Sequence, residues 1–322
     1  MQERNPRMYE LEFPAPAITD QGADGPTLIV ALQGYADAGH AVDASSAHLL
    51  AALDHRLLAS FNNDELIDYR SRRPSVTIDR NSVVDMENLE LGIQVLKDTN
   101  GKAFLLLSGP EPDMRWEAFT EAVADLVERF NVSQTICLYS APMTVPHTRP
   151  MVISAHGNTL ELLEPHYKLG SRFSIPGSAA LQLERLLNQK GRNVAGYTAH
   201  VPHYLAASPY PQATLKLLEA VGDAADLEFP LGALEEDAQR VAAQIDEQVA
   251  SSHEIEQVVS LLEQQYDENL DRYREEHPHS AVLGELPASP VPTGEELGEE
   301  FERFLAELDN QANEDTPDTD DS

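Results

Sequence analysis

Apolar residues in the first two thirds of this chain come in short runs separated by turn-forming residues, the pattern of strands alternating with helices. Thr27-Leu-Ile-Val-Ala-Leu-Gln33, bounded by Pro26 and Gly34, predicts a buried strand. The Ala- and Leu-rich stretch 38–53 predicts a helix, with Asp37 placed to cap it. Lys102–Ser108 predicts a second buried strand, and Asn100-Gly101 turns a hairpin back from Leu91–Lys97. Further strands are expected at 134–139, 151–155 and 194–201, and helices at 116–130, 177–189 and 211–221. Strands alternating with helices imply a mainly parallel sheet between two helical layers, an α/β fold with a three-layer α/β/α core.

The pattern changes after Pro230. Leu234, Ala238, Val241, Ile245 and Val249 recur at helical spacing, and so do Ile255, Val258, Val259, Leu262, Tyr266 and Leu270. This predicts a C-terminal helical hairpin, with Ser251-Ser-His-Glu254 as the capping box of its second helix. The Pro-rich stretch 278–292 reads as a linker. Three regions follow: a core over 1–221, a helical extension over 222–283, and an acidic, mostly disordered tail over 284–322. Within the tail, Thr293-Gly-Glu-Glu296 is a capping-box pattern, followed by an apolar stripe of Leu297, Phe301, Phe304, Leu305 and Leu308. That stripe predicts a short partner-docking helix over 293–309, marginal unless it binds something.

Charge sharpens the division. Of the net −33, residues 1–221 contribute −8 (26 acidic, 18 basic) and residues 222–322 contribute −25 (29 acidic, 4 basic). Such a surface repels phosphate backbones, so no nucleic-acid partner is expected. No run approaches the roughly 18–20 apolar residues of a membrane span, so no membrane partner is expected either. The start of the chain lacks a signal-peptide pattern, and the expected location is cytoplasmic. Cys137, the single cysteine, lies in an apolar strand-like run and reads as a buried structural thiol. No cluster has metal-site spacing, and no cofactor is expected.

Five islands rich in Gly, Pro, His, Arg and aromatics sit beside the apolar runs, where α/β domains place binding groups. Gly34-Tyr-Ala-Asp-Ala-Gly39 resembles a phosphate loop, but His40 and Ala41 stand where Lys and Ser or Thr are required. In Asp68-Tyr-Arg-Ser-Arg-Arg-Pro74 the three arginines are expected to form surface ion pairs, Asp64 and Glu65 being near in sequence. Trp116 closes the third island as a packing anchor beside Arg115. The fourth is Val145-Pro-His-Thr-Arg-Pro150 and the fifth Val201-Pro-His-Tyr204. No Ser or Cys sits in a nucleophile elbow, and no catalytic residue is assigned. The candidate ligand pocket is Gly34, Asp37, Arg115, His147, Arg149 and His203, with His156 as a further chemical candidate.

Taken in order over residues 8–275, the islands resemble the proteasome assembly chaperone family, of the second-chaperone type, in its actinobacterial branch. Gly34-Tyr-Ala-Asp-Ala-Gly39 resembles the family's Gly-Trp/Tyr-x-Asp-Ala-Gly signature. Ser108-Gly-Pro-Glu-Pro-Asp113, Val145-Pro-His-Thr-Arg149 and Pro202-His-Tyr204 are similar to that branch. The resemblance implies an α/β/α core like that of purine nucleoside phosphorylases, a helical addition, and self-association into a homo-oligomer such as a trimer. It also implies protein partners. Docking to the proteasome in this family uses a C-terminal hydrophobic–tyrosine–any tripeptide, whereas this sequence reads Asp320-Asp321-Ser322 at that place. The expectation is a non-catalytic, chaperone-like or scaffold protein. The alternative is a small-ligand-binding protein or enzyme with a nucleosidase-like pocket.

Overall fold

The computed structural model describes residues 8–14, 16, 18, 25–164, 166–168 and 172–276. In chain order its strands are β1 (Tyr9–Leu11), β2 (Thr27–Gln33), β3 (His55–Phe61), β4 (Val76–Asp79), β5 (Ser82–Met86), β6 (Gly92–Lys97), β7 (Ala103–Pro110), β8 (Gln134–Met143), β9 (Ile153–Gly157), β10 (Tyr167–Lys168) and β11 (Val194–Pro202). The helices are α1 (Ala41–Ala52), α2 (Asn63–Leu66), α3 (Trp116–Arg129), α4 (Leu160–Leu163), α5 (Ala179–Gln189), α6 (Pro211–Ala225), α7 (Gly232–Ala250) and α8 (His253–Glu276).

Nine strands form one sheet in the order β1-β3-β6-β7-β2-β8-β11-β9-β10. The central strands β7, β2, β8 and β11 run parallel, as their apolar runs and following helices predict. The expectation of a mainly parallel sheet needs correcting, however. β6 turns back from β7 through the Asn100-Gly101 corner, β3 and β1 continue antiparallel, and β9 lies antiparallel to β11. Periodicity identifies strands but not the direction in which they pair.

Both faces of the sheet are covered, which is why its central strands are apolar without alternation. On β2, Ile29 and Ala31 join Val42 and Leu49 of α1 and Leu217 and Val221 of α6. Leu28 and Val30 on the opposite face meet Phe119 and Val123 of α3 and Leu183 of α5. The layers are therefore α1/α6, sheet, and α3/α5. Cys137 is fully buried in the second core.

The helical hairpin is α7 and α8. Leu234, Ala238 and Ile245 of α7 extend the α1/α6 core. Tyr266 of α8 makes a separate small cluster with Val145 and Val152. The predicted capping box at 251–254 is replaced by another arrangement. The Ser251 hydroxyl donates to the Gln248 carbonyl at 2.6 Å and so finishes α7, and α8 begins two residues later. No described helix is long and apolar enough to cross a membrane. The predicted tail and its helix at 293–309 lie outside the described residues.

Candidate functional site

The candidate residues gather along the carboxyl edge of the parallel strands, but in separate groups. At the end of β2, Asp37 satisfies the start of α1. Its carboxylate accepts the Val42 amide at 2.7 Å and the Asp43 amide at 3.2 Å, and Ser140 of β8 donates to it at 3.3 Å. Burial raises its pKa, against the pull of those amides. Asp37 thus caps the helix from three residues before the capping position, which His40 occupies. The cap also pins α1 to β8.

Gly34 faces Glu111, whose carboxylate fills the space a Cβ would need. Glu111 in turn accepts the Ala179 amide at 2.7 Å at the start of α5, and burial raises its pKa. Nearby, Arg72 pairs with Asp113 at 3.3 Å and donates to the Gln33 carbonyl at 3.1 Å. Arg115 pairs with Glu65. The ion pairs expected of the Arg70–Arg73 island are thus made differently: Arg72 reaches Asp113, and Glu65 is taken by Arg115. The Trp116 indole donates to the Pro112 carbonyl at 2.5 Å, an anchor as expected.

The Val145–Pro150 island has a different job. Its side chains hold the helical hairpin. The Arg149 guanidinium donates to Asp267 at 2.9 and 2.7 Å and to Glu263 at 3.1 Å, both on α8. Thr148 also bonds Glu263. The Tyr266 hydroxyl donates to the Pro150 carbonyl at 2.9 Å. The His147 side chain, 3% exposed, lies between Tyr204 and Asp246 of α7. Its backbone N–H donates to the Tyr204 oxygen at 2.9 Å, which leaves the phenol proton for Nδ1 at 2.7 Å. Nε2 then faces Asp246 at 3.3 Å. Burial pushes the Tyr204 pKa up to about 12, so the phenol keeps that proton. His203 is exposed and stands edge-on to the Tyr204 ring. Between this loop and β11, a cavity lined by Arg149, His200, Tyr210 and Tyr266 has room for roughly one water molecule.

The structure therefore brings His147 and His203 together around Tyr204, turns Arg149 to the carboxylates of α8, and places Gly34, Asp37 and Arg115 in other contacts along the edge. No group of three or more His, Cys, Asp or Glu among the described residues is arranged to hold a metal ion. The partner-docking residues Leu297, Phe301, Phe304, Leu305 and Leu308 lie outside the described residues.

Residues 31–249, more than half of the chain, match the PAC2 family model. The chain belongs to the PAC2 family. A Corynebacterium glutamicum protein of unknown function has a crystal structure similar to it at TM-score 0.81 and 63% identity, covering 84% of this chain and 100% of that one. Mycobacterium tuberculosis Rv2714, also of unknown function, is similar at TM-score 0.79 and 48% identity, over 84% and 94%. The M. tuberculosis proteasome-assembly chaperone homologue Rv2125 is similar at TM-score 0.66 and 26% identity, over 72% and 99%. A search of curated proteins finds no match.

This PAC2 chain also gives His156, a candidate from the sequence, two partners that the sequence reading missed, Glu184 and Tyr139. Glu184 of α5 is buried against the sheet, where the Tyr139 hydroxyl donates to it at 2.6 Å and His156 Nε2 lies 3.0 Å away. The His156 Nε2 is not well directed for a hydrogen bond to that carboxylate. Burial opposes charge on His156, but the carboxylate outweighs it and the pKa is raised. Gly196 on β11 leaves the room that His156 and Glu184 use. A charged residue inside an apolar helical stripe was the available signal, since Glu184 follows Leu183 and sits between Leu181 and Leu187.

Proposed function

We propose that this PAC2-family protein is a non-catalytic, chaperone-like or scaffold protein of the cytoplasm that works through protein–protein contact. The observation that supports this reading most is the use made of the Val145–Pro150 island. Arg149 and His147, the strongest candidates for ligand chemistry, are engaged by α8 and α7 of the same chain. The small-ligand reading is not favoured, because its residues serve capping, pairing and docking, and the cavity beside Arg149 is water-sized. Among the polar residues that the hairpin presents outward, Ile255, Val258 and Leu261 on α8 are exposed apolar side chains. A helix face of that kind suits a partner protein or a second copy in a homo-oligomer.

Pull-down from native lysate at several salt concentrations should recover a stable protein partner in fixed ratio. That partner should be lost on Val258→Glu with Leu261→Glu. Recovery of the bait alone at every salt would count heavily against the proposal. Light scattering should give a mass well above the 35.5 kDa of one chain. A clean monomer would refute the homo-oligomer.

A further inference from the structure

β4 and β5 form a hairpin outside the main sheet, and every one of their nine residues is exposed. Directly opposed residues of an antiparallel pair share a face. Val76 opposes Met86 and Ile78 opposes Val83, so one face is apolar. Thr77 opposes Asp85 and Asp79 opposes Ser82, so the other is polar. Ile78 is 66% exposed and Val83 67%, although an isolated two-stranded hairpin is marginal without something to cover its apolar face. Arg70 and Arg73 precede the hairpin and Arg80 forms its tip. Arg72 has Asp113, but the guanidinium groups of those three have no carboxylate partner among the described residues.

We propose that the apolar face of the β4–β5 hairpin is the docking surface for the chain's own C-terminal segment, residues 297–308. The chemistry of the two matches. The segment carries the stripe Leu297, Phe301, Phe304, Leu305 and Leu308, and residues 293–309 hold seven carboxylates against the single base Arg303. An acidic segment with an apolar stripe fits an apolar face flanked by unpaired arginines, the hairpin's own Asp79 and Asp85 lying on the opposite face. A second exposed apolar surface, Ile255, Val258 and Leu261 on α8, is set among Glu254, Glu256 and Glu268 and repels such a segment.

Reach is sufficient. α8 docks on the loop that leaves the carboxyl end of β8. The base of the hairpin is tied by Arg72 to Gln33, at the carboxyl end of the adjacent strand β2. Both therefore lie at one edge of the sheet. The stretch from Glu276 to Leu297 spans up to roughly 70 Å when extended. This docking is separate from the partner-protein reading, because both surfaces belong to one molecule.

Hydrogen exchange on the intact chain tests it, read at residues 76–86 and 297–308. Both segments should exchange about tenfold or more slowly than in random coil. Phe301→Ser with Phe304→Ser should remove protection from the hairpin, and Ile78→Ser with Val83→Ser should remove it from the tail. Ile78 and Val83 are exposed, so their replacement does not open either core. Protection should be constant over a roughly fifty-fold range of protein concentration and should weaken between about 0.1 and about 1 M salt. Absence of protection in both segments overturns the proposal. So does a protected hairpin indifferent to the Phe301 and Phe304 substitutions. Protection that rises with concentration assigns the face to a second copy and overturns it too.

Discussion

Truncating Tyr266 should release α8 while leaving the sheet folded. The side chain is 3% exposed and completes the small cluster with Val145 and Val152, with Met143 and Leu270 at its margin. Removing a large buried aromatic costs about 3–5 kcal/mol. This cluster lies outside the two large cores, where water and neighbours can refill part of the gap, so the lower end of about 3 kcal/mol is expected for Tyr266→Ala. Tyr266→Phe keeps the ring and removes the bond to the Pro150 carbonyl, worth about 1 kcal/mol. At about 1.4 kcal/mol per factor of ten, the opening equilibrium of α8 should shift roughly 150-fold for the first variant and roughly fivefold for the second. Amide exchange over residues 253–276 reads this directly, with β2 and β8 as internal controls. The graded order, alanine well beyond phenylalanine, is part of the expectation. Unchanged exchange in α8, or equal acceleration in β2 and β8, would mean that α8 is not an appendage held by this clasp.

Asp37→Ala should lower stability by about 1 kcal/mol, read by denaturant titration, because the Val42 and Asp43 amides lose their acceptor. An unchanged midpoint would contradict the capping role. Glu184→Leu should cost about 2 kcal/mol by leaving the Tyr139 hydroxyl unpaired, and Glu184→Gln less, since it keeps an oxygen there; equal losses would count against the bond. Burial pushes the His200 pKa down to about 4, while in the unfolded chain it titrates near ~6.5. The unfolded state therefore takes up a proton that the native state refuses. Stability from this group is full above about pH 6.5 and falls by up to about 3 kcal/mol as pH drops toward about 4. His156, with a raised pKa, acts in the opposite sense, so the comparison is between the wild type and His200→Gln. The variant should lose less stability between neutral and acid pH, and an identical slope in both proteins would refute the assignment.

The central strands and the main helices were legible because burial on both faces demands continuous apolar runs and a helix demands a 3.6-residue period. β2, β7, β8 and β11, with α1, α3, α5 and α6, follow from those local rules. The strands that escaped notice carry weaker patterns. β3, His55-Arg-Leu-Leu-Ala-Ser-Phe61, begins exposed and polar, and β4 and β5 have no buried face to impose alternation within the core. Sheet order and strand direction were not legible, because they depend on which hydrogen-bonding edges meet, and residues far apart in the chain decide that.

The candidate chemistry divides in the same way. Asp37 stands between a strand and a helix, and its capping role could be read from that position alone. Arg149 and His147 were recognisable as unusual residues at the end of a strand, but their partners Glu263, Asp267 and Asp246 lie about a hundred residues further on. An arginine in a loop has the same chemical potential to bind a phosphate, a substrate carboxylate or a helix of its own chain. Only the packing of α8 through Tyr266 brings one set of carboxylates within 3 Å of Arg149, and a charge interaction that falls off with distance and solvent gains its meaning there.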